Sequence, residues 1–140
     1  MSFATVSQVK DLVPKASTGS ISDSQIQGFL DLNTADLTGA IKQRGYTVPS
    51  SGTFFDVLAG MNRDYAAFKL LYTLWNQSGK VGKNESADAL KTDYNSRFEM
   101  LRNGVYDYLA EPTVSTPVNI ASAVGAIGQK EPYIDYSDNF

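Results

Sequence analysis

The stretch from Phe54 to Trp75, FFDVLAGMNRDYAAFKLLYTLW, carries the strongest structural pattern in the sequence. Its apolar side chains recur every three or four residues, which is the period of an amphipathic helix. The pattern predicts a helix of about six turns that forms the centre of the core, with Phe68 and Leu71 in the middle of its apolar stripe. Gly60 lies inside this helix and costs roughly 1 kcal/mol relative to alanine, so we expect a close helix–helix approach there. The stripe comprises Phe54, Val57, Leu58, Met61, Tyr65, Phe68, Leu71, Tyr72 and Trp75.

Two shorter patterns before this stretch predict a first and a second helix. Thr5 is followed three residues later by Gln8, and Ser22 is followed at the same spacing by Gln25. This spacing is typical of a capping box, in which the two side chains satisfy backbone N–H groups at the start of a helix. Each pair therefore predicts where a helix begins.

The remaining boundaries follow from residues that start or stop helices. Pro14 ends the first helix, and Gly45 is the expected residue after the second. Thr53 is the predicted N-cap of the third helix. A fourth helix is predicted from about Glu85 to Asn103, with Gly104 ending it.

The chain outside the helices divides into short connections and a long C-terminal segment. Tyr46–Gly52 is predicted to be extended, since its Val48 precedes a proline. Val105–Leu109 alternates in hydrophobicity and predicts one short extended piece. The fold class is therefore all-α, a small four-helix bundle with a short extended segment and a long C-terminal tail. The predicted domains are a helical domain at 1–112 and an extended tail at 113–140.

The end of the tail carries apolar side chains that a lone tail cannot bury. Tyr133, Ile134, Tyr136 and Phe140 lie within nine residues of one another, and aromatic side chains dominate interface energetics. We expect these four residues to dock on a groove or a sheet edge of a partner. Folding back of the tail onto its own bundle is the alternative.

Composition excludes most catalytic chemistry. The chain has 140 residues, a net charge of −3, and neither cysteine nor histidine. Thiol nucleophiles, histidine-based triads and cysteine- or histidine-ligated metal sites are therefore excluded. We expect no catalytic residues, no metal and no cofactor, and hence a protein that is not an enzyme. The sequence predicts neither a secretory signal nor a membrane span, so we expect a soluble, intracellular protein.

Four segments of sequence define the layout of the predicted helices. TVSQVKDLVP at residues 5–14 is followed by a helix that opens with SDSQ at 22–25 and ends in RGYTVP at 44–49. MNRDYAAFKLL at 61–71 and YNSRFEMLRNG at 94–104 complete the layout. Over residues 3–109 this chain resembles the head–tail connector (adaptor, head-completion) proteins of tailed bacteriophages.

The resemblance implies a structural role in the virion. Such proteins assemble as a ring, dodecameric in the family, under the portal protein, and they contact other neck and tail-completion proteins. The resemblance thus makes 1–112 a connector domain located in the neck at the head–tail interface and made in the host cytoplasm. DNA passes through the ring without specific binding, and no membrane is involved. A cytoplasmic helical protein-interaction module, acting as a regulatory adaptor, is the alternative.

Overall fold

The computed structural model describes residues 1–13, 21–77, 79 and 84–113, and these residues form four α-helices. Between the described residues there is no β-strand, and one isolated antiparallel bridge pairs Tyr46 with Pro112. The prediction of an all-helical protein with four helices is confirmed for this part of the chain. The helices are α1 (Val6–Leu12), α2 (Asp23–Gln43), α3 (Gly52–Gln77) and α4 (Glu85–Arg102), and a short 3₁₀ helix (Asp107–Leu109) follows.

Both predicted capping boxes are present. The Thr5 hydroxyl accepts a hydrogen bond from the Gln8 N–H at 3.2 Å, and the Gln8 side chain accepts one from the Thr5 N–H at 2.9 Å. Ser22 and Gln25 make the same reciprocal pair at the start of α2. These bonds span three residues, so the local sequence is sufficient to specify them.

The other helix ends follow the sequence with one exception. Gly45 and Gly104 come just after α2 and α4 and have positive φ angles, as predicted. Thr53 is not the N-cap of α3, because that helix already begins at Gly52 and Thr53 lies inside its first turn. Asn84 caps α4 through its side chain.

Helix α3 is the centre of the fold, as predicted, because it packs against each of the other three helices. One apolar cluster joins α3 to α4 and to the C-terminal half of α2, and a second joins it to α1 and to the N-terminal half of α2. The predicted position of Phe68 in the core is confirmed. Leu71, however, is only partly buried, and Leu70 beside it is fully buried in the second cluster. A single apolar stripe could not predict this, because α3 buries more than one side.

Gly60 does not mark a close approach of two helix backbones. A Cβ atom added at Gly60 would have the Arg97 guanidinium of α4 as its nearest neighbour, at an ordinary contact distance of 3.9 Å. The expected reason for this glycine is therefore wrong, and the fold leaves room for alanine.

Val105–Leu109 forms a turn and the 3₁₀ helix, so the prediction of an extended piece there is wrong. Two features of the structure outweigh the alternation of hydrophobicity in these residues: the conformation of Gly104 and a hydrogen-bonded pair. Gly104 has φ +86° and reverses the chain after α4. Asp107 then hydrogen-bonds to Arg44 at the end of α2, which holds the reversed chain against the bundle.

Candidate interaction surfaces

The described residues offer candidate surfaces for contact with partners. No group of three or more histidine, cysteine, aspartate or glutamate side chains among them could hold a metal ion. None of their helices is both long enough and apolar enough to cross a membrane. The four predicted docking residues, Tyr133, Ile134, Tyr136 and Phe140, lie outside the described residues.

A buried chain of hydrogen bonds fixes how the helices sit against one another. The Asn62 side chain of α3 accepts a bond from the Ala4 N–H at 2.9 Å and donates to the Asn33 side chain of α2 at 2.9 Å. Asn62 also donates to the Leu30 carbonyl at 3.1 Å, and Asn33 donates to the Tyr94 hydroxyl of α4. Asn33 and Asn62 are fully buried, so each bond replaces water that these groups cannot reach.

Tyr94 ends this network and stays neutral at ordinary pH. Burial raises the pKa of Tyr94 to about 12, the Asn33 side chain opposes the shift by donating to the hydroxyl, and Asp36 adds to it. The Tyr94 ring also packs near the rings of Tyr65, Phe68 and Phe98. The network and the aromatic cluster therefore connect the N-terminal segment, α2, α3 and α4 through buried contacts.

At one end of the bundle an ion pair ties the C-terminal turn to α2. Arg44 donates from Nε to Asp107 Oδ1 at 3.0 Å and from a terminal nitrogen to Oδ2 at 2.5 Å. The same guanidinium donates to the Arg102 carbonyl at 3.3 Å. Asp107 raises the pKa of Arg44, and Arg44 in turn lowers the pKa of Asp107. This two-pronged geometry fixes direction as well as distance.

Backbone bonds extend this attachment to the last described residue. The Thr47 N–H donates to the Glu111 carbonyl at 2.8 Å, and the Thr113 N–H donates to the Gly45 carbonyl at 3.1 Å. The Thr113 hydroxyl makes a further bond to the Gly45 carbonyl at 3.0 Å. The chain therefore leaves the described body at Thr113, held against the α2–α3 connection.

Beside this exit lies an open cleft, which we call the terminal cleft. It has a volume of about 510 Å³ and lies between residues 47–54 and the 3₁₀ turn, with Glu111 as its one charged lining residue. Tyr108 on its wall is 80% exposed although it is aromatic, whereas Phe54 is buried. Its apolar lining residues are Val48, Pro49, Phe54, Tyr108 and Leu109.

A second surface, the α2 outer face, consists of Gly28, Leu32, Ala35 and Gly39. These residues follow one another at spacings of four, three and four, so they form one stripe along the helix. All four are exposed, and Leu32 is 58% exposed. A Cβ added at Gly28 or Gly39 would meet nothing within 4 Å, so the fold itself does not require either glycine. The spacing of the two glycines is visible in the sequence, but their exposure depends on the fold and could not be predicted from it.

Charge is unevenly distributed over these surfaces. From Asp23 to Ile41, α2 carries three aspartates and no basic residue. Asp23 pairs with Lys10 of α1 at 2.5 Å, and Asp31 and Asp36 lie exposed in the helix. The exposed side of α2 is therefore acidic along most of its length.

Comparisons of this chain with protein-family models, curated proteins and solved structures find no match.

Proposed function

We propose that this chain is a head–tail connector protein of a tailed bacteriophage, which assembles as a ring under the portal and joins the capsid to the tail. The order of the four helices over residues 3–109 resembles that family. The observation that carries the proposal furthest is the α2 outer face, because a ring needs a surface on each copy that another copy can cover.

The α2 outer face has a composition that a monomer does not need. Each glycine inside a helix costs about 1 kcal/mol relative to alanine. Neither Gly28 nor Gly39 relieves an intramolecular contact, and Leu32 between them leaves most of its side chain in water. A neighbouring copy packed on this stripe would use the missing side chains for a close approach and would bury Leu32. Contact with a different surface on that neighbour generates a closed ring when the rotation closes.

The charge distribution agrees with a channel through which DNA moves. An acidic lumen repels phosphate and lets DNA slide, whereas many lysine and arginine contacts would hold it. The chain has a net charge of −3, and the exposed aspartates of α2 lie next to the proposed contact stripe. The ring would then surround DNA without binding it specifically.

The portal and the other neck proteins are the proposed partners of the C-terminal tail. Tyr133, Ile134, Tyr136 and Phe140 supply the apolar contacts in this proposal, since aromatic anchors carry much of the energy of an interface. The tail leaves the body at Thr113, at the end of the bundle that also holds the terminal cleft. Deletion of residues 114–140 should weaken attachment to the portal while the helical body keeps its stability.

Ring formation is tested by filling the stripe without harming the helix. In the variant G28Q/G39Q, glutamine favours the helix more than glycine does, but its length blocks a close approach. We expect at least about tenfold weaker assembly, a loss of about 1.4 kcal/mol of association free energy, with no loss of folding stability. Sedimentation velocity and electron microscopy of rings assembled in the presence of a portal ring measure the effect. Ala89→Gln, on the exposed side of α4, is the matched control. Assembly as strong in G28Q/G39Q as in the control would remove the support that this face provides.

A cytoplasmic protein-interaction module is the second candidate, and the exposed Tyr108 beside the terminal cleft favours it. Such a module should form a defined small oligomer at all concentrations, whereas a connector should stay largely monomeric until it meets a ring template. Sedimentation velocity over a range of concentrations, with and without a portal ring, separates the two.

A further inference from the structure

The terminal cleft lacks an occupant within the described residues, and its position beside the chain exit indicates which segment fills it. We propose that residues 130–140 of the same chain dock in the terminal cleft of the free protein and cover Tyr108. This inference concerns the unassembled chain and holds whether or not the protein forms rings.

The path of the backbone favours the chain's own segment over a foreign one. Glu111 lines the cleft, and two residues later Thr113 is hydrogen-bonded to Gly45, so the following residues start at the rim. The intervening stretch, residues 114–129, can span up to about 50 Å when extended, well beyond what this cleft requires. A tethered segment also competes at an effective concentration in the millimolar range, which a separate partner seldom reaches.

The apolar chemistry of the segment fits that of the cleft. Tyr133, Ile134 and Tyr136 provide large side chains with few rotatable bonds, which lose little conformational entropy on docking. The cleft offers Tyr108, which is mostly exposed, together with the partly buried Leu109. Docking would bury apolar area on both sides, at roughly 25 cal/mol per Å² before the cost of ordering the segment.

The charges of the cleft and of residues 130–140 favour one orientation of the docked segment. Glu111 is the one charged residue that lines the cleft, and Lys130 is the only basic residue in the tail after position 113. The cleft is also lined by residues 52–54 at the start of α3, whose first turn holds no acidic residue. Lys130 therefore pairs with Glu111, and Asp135 and Asp138 lie toward the positive end of the α3 dipole.

The absence of cysteine from the chain permits a direct test by disulfide trapping. In the full-length variant Y108C/Y136C, mild oxidation at low protein concentration should give a disulfide within one chain. Non-reducing electrophoresis and mass spectrometry of the digested protein identify the linked peptides. The matched control is V105C/Y136C, because Val105 is also exposed and close to the chain exit but does not line the cleft.

We expect the Y108C/Y136C disulfide to form at least about tenfold faster than the control disulfide, since docking raises the local concentration of Cys partners. Equal rates in the two variants would overturn the proposal, because the tether alone would then explain the linkage. Disulfides found only between two chains would also overturn it, since they would assign the cleft to the segment of another copy.

A second measurement uses no new cysteine. In the full-length variant Y133S/I134S/Y136S, the segment loses its apolar contacts while the helical body stays unchanged. Amide hydrogen exchange in residues 47–54 and 105–111 should become faster than in the natural chain. Unchanged exchange in both segments would contradict docking. Ring assembly is scored separately, so failure of this inference is distinguishable from failure of the proposed function.

Discussion

Replacement of Asn62 by leucine tests whether the buried hydrogen-bond network holds the N-terminal segment and the helices together. Leucine has a similar volume but leaves the Ala4 N–H without its acceptor and the Asn33 side-chain oxygen without its donor. A buried polar group that loses its partner costs about 1–3 kcal/mol. Loss of the partners of both groups should lower the free energy of unfolding by about 2–6 kcal/mol at about pH 7. This is a large fraction of the roughly 5–15 kcal/mol typical of a domain.

Urea unfolding followed by far-ultraviolet circular dichroism measures this loss, and hydrogen exchange at the Ala4 amide reports its local cause. Asn95→Leu is the matched control, because Asn95 lies exposed on α4 and should change stability by less than about 0.5 kcal/mol. The double variant N33L/N62L should lose less than the sum of the single variants, since it removes both partners of one bond. A loss below about 1 kcal/mol in Asn62→Leu, with Ala4 exchange unchanged, would show that the network does not hold the N-terminal segment and the helices together.

Three further expectations follow from burial, backbone geometry and ionisation. Leu70→Ala should lower the free energy of unfolding by about 2–5 kcal/mol because Leu70 is fully buried, whereas the exposed change Leu32→Ala should lower it by less than about 0.5 kcal/mol. Equal losses in urea unfolding would show that the core is misassigned. Gly104→Ala should lower stability by more than about 1 kcal/mol, because φ is +86° and an added Cβ would lie 2.8 Å from Asp107 Oδ2. Gly60→Ala should instead raise stability by up to about 1 kcal/mol. Thermal melts that rank the two variants the other way would contradict this. Burial raises the pKa of Tyr94 to about 12 in the folded protein, whereas the pKa in the unfolded chain is near 10. The free energy of unfolding should therefore be unaffected by this group below about pH 10. Between about pH 10 and 12 it should fall by up to about 1.4 kcal/mol per pH unit, because only the unfolded chain loses the Tyr94 proton. Urea unfolding across this range should show a shallower decline in Tyr94→Phe, and an unchanged slope would assign the effect to other tyrosines.

The sequence predicted features whose causes lie within one helical turn. The capping boxes at Thr5 and Ser22 depend on a partner three residues away, and both are present. The glycines after α2 and α4 were predictable for the same reason. The N-cap of α3 was placed wrongly at Thr53, because several small polar residues precede that helix and each could cap it.

Features that depend on distant residues could not be predicted. α3 buries one side against α4 and another against α1 and α2, so alanines and Asn62 are as buried as its large apolar residues. The turn at 105–109 depends on Arg44, which comes from the end of α2. The predicted docking residues of the tail lie outside the described residues, and their role stays a prediction.

The long-range polar contacts also have a consequence for the order of folding events. Asn33 and Tyr94 are 61 residues apart in the sequence, and Arg44 and Asp107 are 63 apart, whereas the helices themselves form from near neighbours. Closing such long loops lowers the entropy of the chain, so we expect these contacts to form late, after the helices have begun to pack. Contacts made after the transition state slow unfolding more than they speed folding. These few bonds should therefore set how long a folded copy survives before it unfolds.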